Sequence, residues 1–140
     1  MRLVHVVFVS AAIWAVHDYA QKNGMIEAHG SYDSTQGFVE LIGVQNQAAA
    51  TVYVIAPPNC PSEEGQRATR LVEALKQRGV PVAQSSGVRQ SFHDMPTPEQ
   101  LGMLEALTKH PAPLVVINGR AKPNPTLDEV IAEFDQSSRW

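Results

Sequence analysis

A short apolar run that ends at two prolines and the only cysteine constrains the fold more than any other stretch of this sequence. The run, TVYVIAPPNCPSE, covers residues 51–63. Its first half is rich in β-branched and aromatic residues, which favours a strand buried on both faces. The prolines predict a turn, and Ser62 followed by Glu63 and Glu64 predicts the start of a helix. This order puts Cys60 beside a helix N-terminus, where backbone N–H groups and the helix dipole favour a thiolate.

The residues that follow Cys60 predict alternating helices and strands. Apolar residues recur at helical spacing from Ala68 to Leu75, and Gly79 then stops the helix. Residues 80–83 are expected to form a second strand, which should pair in parallel with the first because a helix separates the two. The sequence Thr-Pro-Glu-Gln at residues 97–100 predicts a second helix that begins with a capping box.

The last third of the chain predicts a hairpin and a final helix. Residues 114–117, LVVI, are typical of a buried strand, and the Asn118-Gly119 pair is a strong hairpin signal. A short antiparallel strand is therefore expected over residues 120–122. Thr126 and Glu129 form a second capping box, which predicts the start of the last helix.

An apolar segment lies close to the N-terminus. Residues 3–16, LVHVVFVSAAIWAV, follow Arg2, and residues 1–22 resemble a secretory signal peptide or a short signal anchor. A cut after Ala20 would place Asp18 at a position that requires a small residue, so an uncleaved anchor is favoured. With the positive N-terminus inside, the rest of the chain would be anchored to the inner membrane and face the periplasm or another extracytoplasmic space.

A packed N-terminus is the alternative to a signal segment. Residues 3–9 would then form a strand and residues 11–22 a helix, both buried in a cytoplasmic protein. Periodicity alone cannot separate the two interpretations of a short apolar run.

Composition limits the domain organisation and the classes of partner. The 140 residues allow one domain and an appendage. We assign residues 23–49, which are polar and glycine-punctuated, to a linker with a possible short strand at 25–28, and residues 50–136 to the folded domain. A net charge of −3 without a basic run gives no reason to expect a nucleic-acid partner. A single cysteine and scattered histidines predict neither an internal disulfide nor a metal site.

Two motifs give the domain a resemblance to a known family. The predicted element order β-α-β-α-β-β-α, together with VYVIAPPNCPSE, resembles the glutaredoxin branch of the thioredoxin-like fold. The second motif, APLVVINGR at residues 112–120, resembles the segment of that family in which a cis-proline opens a strand and an Asn-Gly hairpin follows. The resemblance implies an α/β thioredoxin-like domain with an N-terminal hydrophobic extension.

The resemblance also implies site residues. Cys60 would be the nucleophile, Pro113 would be cis and face it, and the backbone of Ala112 would hold an extended thiol substrate. The sequence departs from the family at three places: Glu63 stands at the second cysteine position, Pro57 replaces a lysine, and residues 122–125 replace a Gly-Gly turn.

These departures bear on the thiol and on a cofactor. Carboxylates at Glu63 and Glu64 would raise the pKa of Cys60 and oppose the helix terminus. We expect no resident cofactor. Glutathione remains the ligand that the family would suggest, and Lys122 could attract an anion.

Three functional hypotheses follow from the sequence. The leading one is an atypical single-cysteine thiol–disulfide exchange protein, which would make it an oxidoreductase acting on a protein thiol or disulfide partner. The alternative is a non-catalytic, membrane-anchored thioredoxin-like interaction module in an envelope assembly. A third is a homodimer joined through an intermolecular disulfide of Cys60.

Overall fold

The computed structural model of this protein describes residues 32–45 and 47–139. The signal or anchor predicted for residues 1–22, the packed alternative for the same segment and the possible strand at 25–28 lie outside the described residues.

The described chain is a mixed α/β structure with one five-stranded sheet and three helices. Its elements in order are β1 (Val39–Glu40), β2 (Val52–Ile55), α1 (Glu63–Gln77), β3 (Val82–Ser85), α2 (Pro98–Lys109), β4 (Leu114–Ile117), β5 (Arg120–Pro123) and α3 (Leu127–Ser137). None of these three helices combines the length and the apolar composition that crossing a membrane requires.

The strands lie in the order β1-β5-β4-β2-β3. β2 and β3 pair in parallel, as predicted, and every other pair is antiparallel. Ile55 at the end of β2 pairs with Ser85 on one side and with Leu114 on the other, and Leu114 in turn pairs with Pro123. The carboxyl ends of β2, β3 and β5 and the amino end of β4 therefore share one edge of the sheet. We call it the Cys60 edge, because the Cys60 turn leaves from it.

The three predicted helix starts are confirmed. Ser62 caps α1, and complete capping boxes open α2 at Thr97 and α3 at Thr126. Strand β3 is displaced by two residues from the predicted span 80–83. The reason is local: the Val80 N–H bonds to the Leu75 carbonyl as part of the helix end, and Pro81 has no N–H to give to a sheet.

Two apolar layers enclose the sheet. One face packs against α1 and α3, through a cluster that includes Leu75, Val130, Val54 and Ile117. The opposite face packs against α2, around Leu107. Residues 32–45, part of the segment assigned to a linker, take part in both layers: they supply β1 and the buried side chains of Tyr32, Phe38 and Leu41.

Candidate functional site

The turn that carries Cys60 is fixed at both of its ends. Where β2 ends, the Ala56 N–H donates to the Ser85 carbonyl of β3 at 2.9 Å. Asn59 then takes a left-handed backbone conformation with φ of 55°, which asparagine tolerates better than most residues. Ser62 closes the turn as the cap of α1. Cys60 is thus held between a strand end and a helix start, as the sequence predicts.

Gly65 lets this turn lie against the first turn of α1. A Cβ atom at residue 65 would be 2.2 Å from the Cys60 carbonyl oxygen and 2.6 Å from the Cys60 Cβ. Because a side chain does not fit in that space, Cys60 can take its position only if residue 65 is a glycine. Our sequence analysis missed this residue. The available signal was a glycine at the third position of a helix, where it costs backbone entropy and so requires a reason.

Ser62 hydrogen-bonds both the helix and the thiol. Its Oγ accepts from the Gly65 N–H at 3.1 Å and lies 3.1 Å from the partly exposed Cys60 Sγ. The Ser62 hydroxyl and then the Ser62 backbone N–H lower the pKa of Cys60, whereas desolvation and the Glu64 carboxylate raise it. The net direction is downward. Glu64 raises the pKa as expected, but the hydrogen bonds from Ser62 outweigh its effect.

Pro113 lies at the same edge of the sheet as the Cys60 turn. It precedes Leu114, the partner of Ile55, so the two motifs meet at the Cys60 edge. The Ala112–Pro113 peptide bond is cis, the geometry that the resemblance implies. Pro113 is buried and its carbonyl accepts from the Asn124 N–H at 2.7 Å, whereas Ala112 is partly exposed. The backbone of Ala112 makes no hydrogen bond to any other described residue.

Lys122 is already occupied by internal contacts. Its side chain is buried, and its Nζ lies 2.8 Å from both the Gln36 carbonyl oxygen and Glu129 Oε1. The suggestion that Lys122 could attract an external anion is therefore wrong, since its charge is neutralised by Glu129 inside the fold. Two residues earlier on β5, Arg120 repeats the arrangement with the Phe38 carbonyl and Glu133.

The arrangement at the Cys60 edge defines what its chemistry can be. A partly exposed thiol with a lowered pKa can act as a nucleophile, and an unpaired backbone at the same edge of the sheet can hold an extended chain. Among residues 32–45 and 47–139, no group of three or more His, Cys, Asp or Glu side chains could hold a metal ion. The chain is thus a mixed α/β domain with one hydrogen-bonded cysteine at an edge of its sheet.

Comparison with known proteins gives no further identification. No protein-family model matches the sequence, and neither the curated proteins nor the solved structures include a significant match. The functional assignment consequently rests on the geometry and chemistry of the chain itself.

Proposed function

We propose that this protein is an atypical single-cysteine thiol–disulfide exchange protein whose domain is thioredoxin-like, of the glutaredoxin type. The order β2-α1-β3-α2-β4-β5-α3 is the order that the two sequence motifs imply, which supports the proposal. The observation that carries it is the 3.1 Å contact between Cys60 Sγ and Ser62 Oγ, because this contact lowers the pKa of a partly exposed thiol. A lower pKa raises the thiolate fraction, and the thiolate is the attacking species.

The exchange takes two steps because the chain has one cysteine. The Cys60 thiolate attacks one sulfur of a partner disulfide, forms a mixed disulfide and releases the other sulfur as a thiolate. A second thiol from outside the chain then attacks the mixed disulfide, takes the partner's sulfur into a new disulfide and restores the Cys60 thiolate. Net reduction of the partner takes one more external thiol, which attacks the new disulfide, releases the partner's second sulfur as a thiolate and leaves the two external thiols joined as a disulfide.

Ala112 is the residue best suited to orient a protein substrate. Ala112 is partly exposed, its backbone has no hydrogen-bond partner among the described residues, and it lies next to Pro113 at the Cys60 edge. A short extended segment of a partner could add a β-type pairing there, so that main-chain hydrogen bonds supply affinity. This mode of binding favours a protein or peptide disulfide over a compact small molecule.

The test measures the pKa and the turnover of the same thiol. Because Cys60 is the only cysteine, the pH dependence of alkylation of the full chain reports its pKa without interference. We expect a pKa below the value of about 8.5 for a free cysteine, and reduction of a peptide disulfide in the presence of an external thiol. Cys60→Ser is the control and must abolish turnover. A pKa above about 8.5 together with no turnover would rule out the proposal.

A non-catalytic interaction module is the second candidate, and one surface feature favours it. Among residues 32–45 and 47–139, the exposed large hydrophobic side chains are Phe92, Met95 and Leu101, which fall within ten residues of chain, and Met95 is 92% exposed. Exposed apolar side chains that lie close together in the chain are candidates for contacts with another protein. If the protein is such a module, anchored at a membrane through its N-terminal segment, Cys60→Ser will keep its partner in co-purification, whereas Leu101→Ser will lose it. Loss of the partner in Cys60→Ser alone would favour thiol exchange.

A further inference from the structure

A cavity lies on the sheet face opposite α1 and α3, and it reaches the Cys60 edge at Ile55 and Ser85. Its volume is about 260 Å³. The sheet contributes Tyr53 and Ile55 of β2 and the paired residues Ala83 and Ser85 of β3. Two loop segments complete it, one through Gln45 and Gln47 and one through residues 87–89. The helix on this face, α2, packs against β5, at the other half of the sheet.

Hydrogen bonds hold the two loop segments in place. The Gln45 N–H donates to the Arg89 carbonyl at 3.1 Å, and Val44 and Gln90 form an antiparallel bridge beside that bond. Between β3 and the second segment, the Ser85 hydroxyl donates to the Gly87 carbonyl at 2.8 Å. The cavity walls are therefore formed before any ligand binds, which is typical of small-molecule sites.

Two of the polar side chains that line the cavity use their oxygen atoms in hydrogen bonds within the protein. Tyr53 Oη accepts from the Ala48 N–H at 2.8 Å, so its O–H remains to donate. Gln47 Oε1 accepts from the Gly119 N–H at 3.3 Å, which leaves its NH₂ group as a donor. An amide and a hydroxyl can each donate or accept. Tyr53 and Gln47 each accept a hydrogen bond from the protein and keep an O–H or N–H group that can donate to a ligand.

Arg89 gives the cavity its charge. It is the only charged residue among the described residues of the lining, and it forms no ion pair with another described residue. A guanidinium presents a planar fork of donors that matches a carboxylate in a bidentate geometry. Ile55, Ala83 and Val88 supply the apolar part of the lining. A ligand that fits has one anionic, acceptor-rich end and a short apolar tail.

We propose that this cavity binds a small aliphatic carboxylate, with the carboxylate group on Arg89, Gln47 and Tyr53 and the hydrocarbon tail against Ile55, Ala83 and Val88. The size of the ligand follows from the volume, which lies just below the roughly 300–1,000 Å³ of typical small-molecule sites. The site does not include Cys60, so this proposal can be tested independently of thiol exchange.

The test is a calorimetric titration of the full chain with acetate, butyrate and the neutral isostere butyramide. We expect affinity to rise by about fourfold for each methylene group added between acetate and butyrate, because the tail enters an apolar pocket. Butyramide should bind about tenfold more weakly than butyrate or worse, since it lacks the charge. Equal affinity for butyrate and butyramide would overturn the proposal, and so would binding of inorganic phosphate more tightly than butyrate.

Three variants locate the site. Arg89→Gln should weaken butyrate binding by about tenfold or more. Its matched control, Arg70→Gln, removes the same charge from an exposed position on α1 and should leave the affinity unchanged. Ala83→Leu should abolish binding by filling the pocket while the charge is kept, and Cys60→Ser should have no effect. If Arg89→Gln binds butyrate as well as the unmodified chain does, the carboxylate is not held in this cavity.

Discussion

Helices α1 and α3 begin at the same edge of the sheet with the same kind of cap, yet their first turns differ. In both, a hydroxyl accepts a hydrogen bond from the N–H of the third helical residue: Ser62 from Gly65, and Thr126 from Glu129. In α3 that third residue completes a capping box and also binds Lys122. In α1 it is a glycine, and the cap hydroxyl contacts the Cys60 thiol instead.

The difference shows how one local motif can serve stability or reactivity. At α3 each polar group has an internal partner: Glu129 binds Lys122 and the Thr126 N–H, and Lys122 also binds the Gln36 carbonyl. At α1 the missing side chain at Gly65 lets the turn approach, and the thiol beside Ser62 stays partly exposed. We therefore expect changes at α3 to alter stability alone, and changes at α1 to alter the thiol as well.

Adding a side chain at Gly65 should have the largest effect. The new Cβ of Gly65→Ala would meet the Cys60 backbone, which cannot rotate away as a flexible side chain could. We expect the free energy of unfolding to fall by about 3 kcal/mol, the upper part of the range for overpacked sites, as measured by urea denaturation. The alkylation rate of Cys60 should change in the same variant.

Gly37→Ala is the matched control for that substitution. A Cβ at Gly37 would have no neighbour within 4 Å, and this variant should change the free energy of unfolding by less than about 1 kcal/mol. Equal stability of Gly65→Ala and the unmodified chain would mean that the turn does not pack on α1 as described.

Removing the charge at Glu129 should have the next largest effect. Glu129→Gln keeps a capping-box side chain but leaves the buried Lys122 ammonium without its counter-ion. Breaking a fully buried pair costs roughly 3–5 kcal/mol, and because the Glu129 side chain is 43% exposed we expect a loss of about 2 kcal/mol. Glu105→Gln removes a carboxylate from an exposed pair with Lys109 and should leave the denaturation midpoint unchanged. Equal effects of the two variants would show that burial of Lys122 has no energetic consequence.

The same ion pair predicts a pH dependence. The hydrogen bond from Lys122, followed by the one from the Thr126 backbone, lowers the pKa of Glu129 below its ordinary value of 4.5. The unfolded chain therefore takes up this proton at a higher pH than the folded chain does. The contribution of Glu129 is complete above about pH 4.5 and is lost as the pH falls through the folded-state pKa. Denaturation at a series of pH values should show the unmodified chain and Glu129→Gln converging in stability below that point, and a constant difference would contradict this assignment.

Local signals in the sequence predicted most of the element starts. The caps at Ser62, Thr97 and Thr126 and the hairpin at residues 118–119 depend on residues no more than four positions apart, and each is found as predicted. The start of β3 was harder to predict. The Val80 N–H is bonded to the end of α1 and Pro81 has no N–H, so the position of the strand depends on these two backbone groups.

Contacts between distant residues could not be predicted from those local signals. Lys122 and Gln36 are 86 residues apart. Nothing in the polar segment before residue 49 indicates that the carbonyls of Gln36 and Phe38 accept hydrogen bonds from Lys122 and Arg120 of β5. The direction of the Cys60 pKa has a similar origin. The sequence indicates two opposing effects, a helix N-terminus that favours the thiolate and nearby carboxylates that disfavour it, whereas the Ser62 hydroxyl acts through its position 3.1 Å from the thiol sulfur. The cavity beside Arg89 likewise forms only when loop segments more than 40 residues apart come together.

Removing the Ser62 hydroxyl should have the smallest effect on stability and the most specific effect on the thiol. Ser62→Ala loses a helix cap, at a cost of about 1 kcal/mol in the free energy of unfolding. It also removes the hydrogen bond that is the largest cause of the lowered pKa of Cys60, while the Glu64 carboxylate continues to disfavour the thiolate. The pH dependence of alkylation should therefore show a higher pKa for Cys60 in this variant. Thr97→Ala is the matched control, because it removes the equivalent cap of α2 at a similar cost and should leave the pKa of Cys60 unchanged. If the two variants lose similar stability and neither moves the pKa, Ser62 is a cap like Thr97 and Thr126, and the contrast between α1 and α3 does not extend to the thiol.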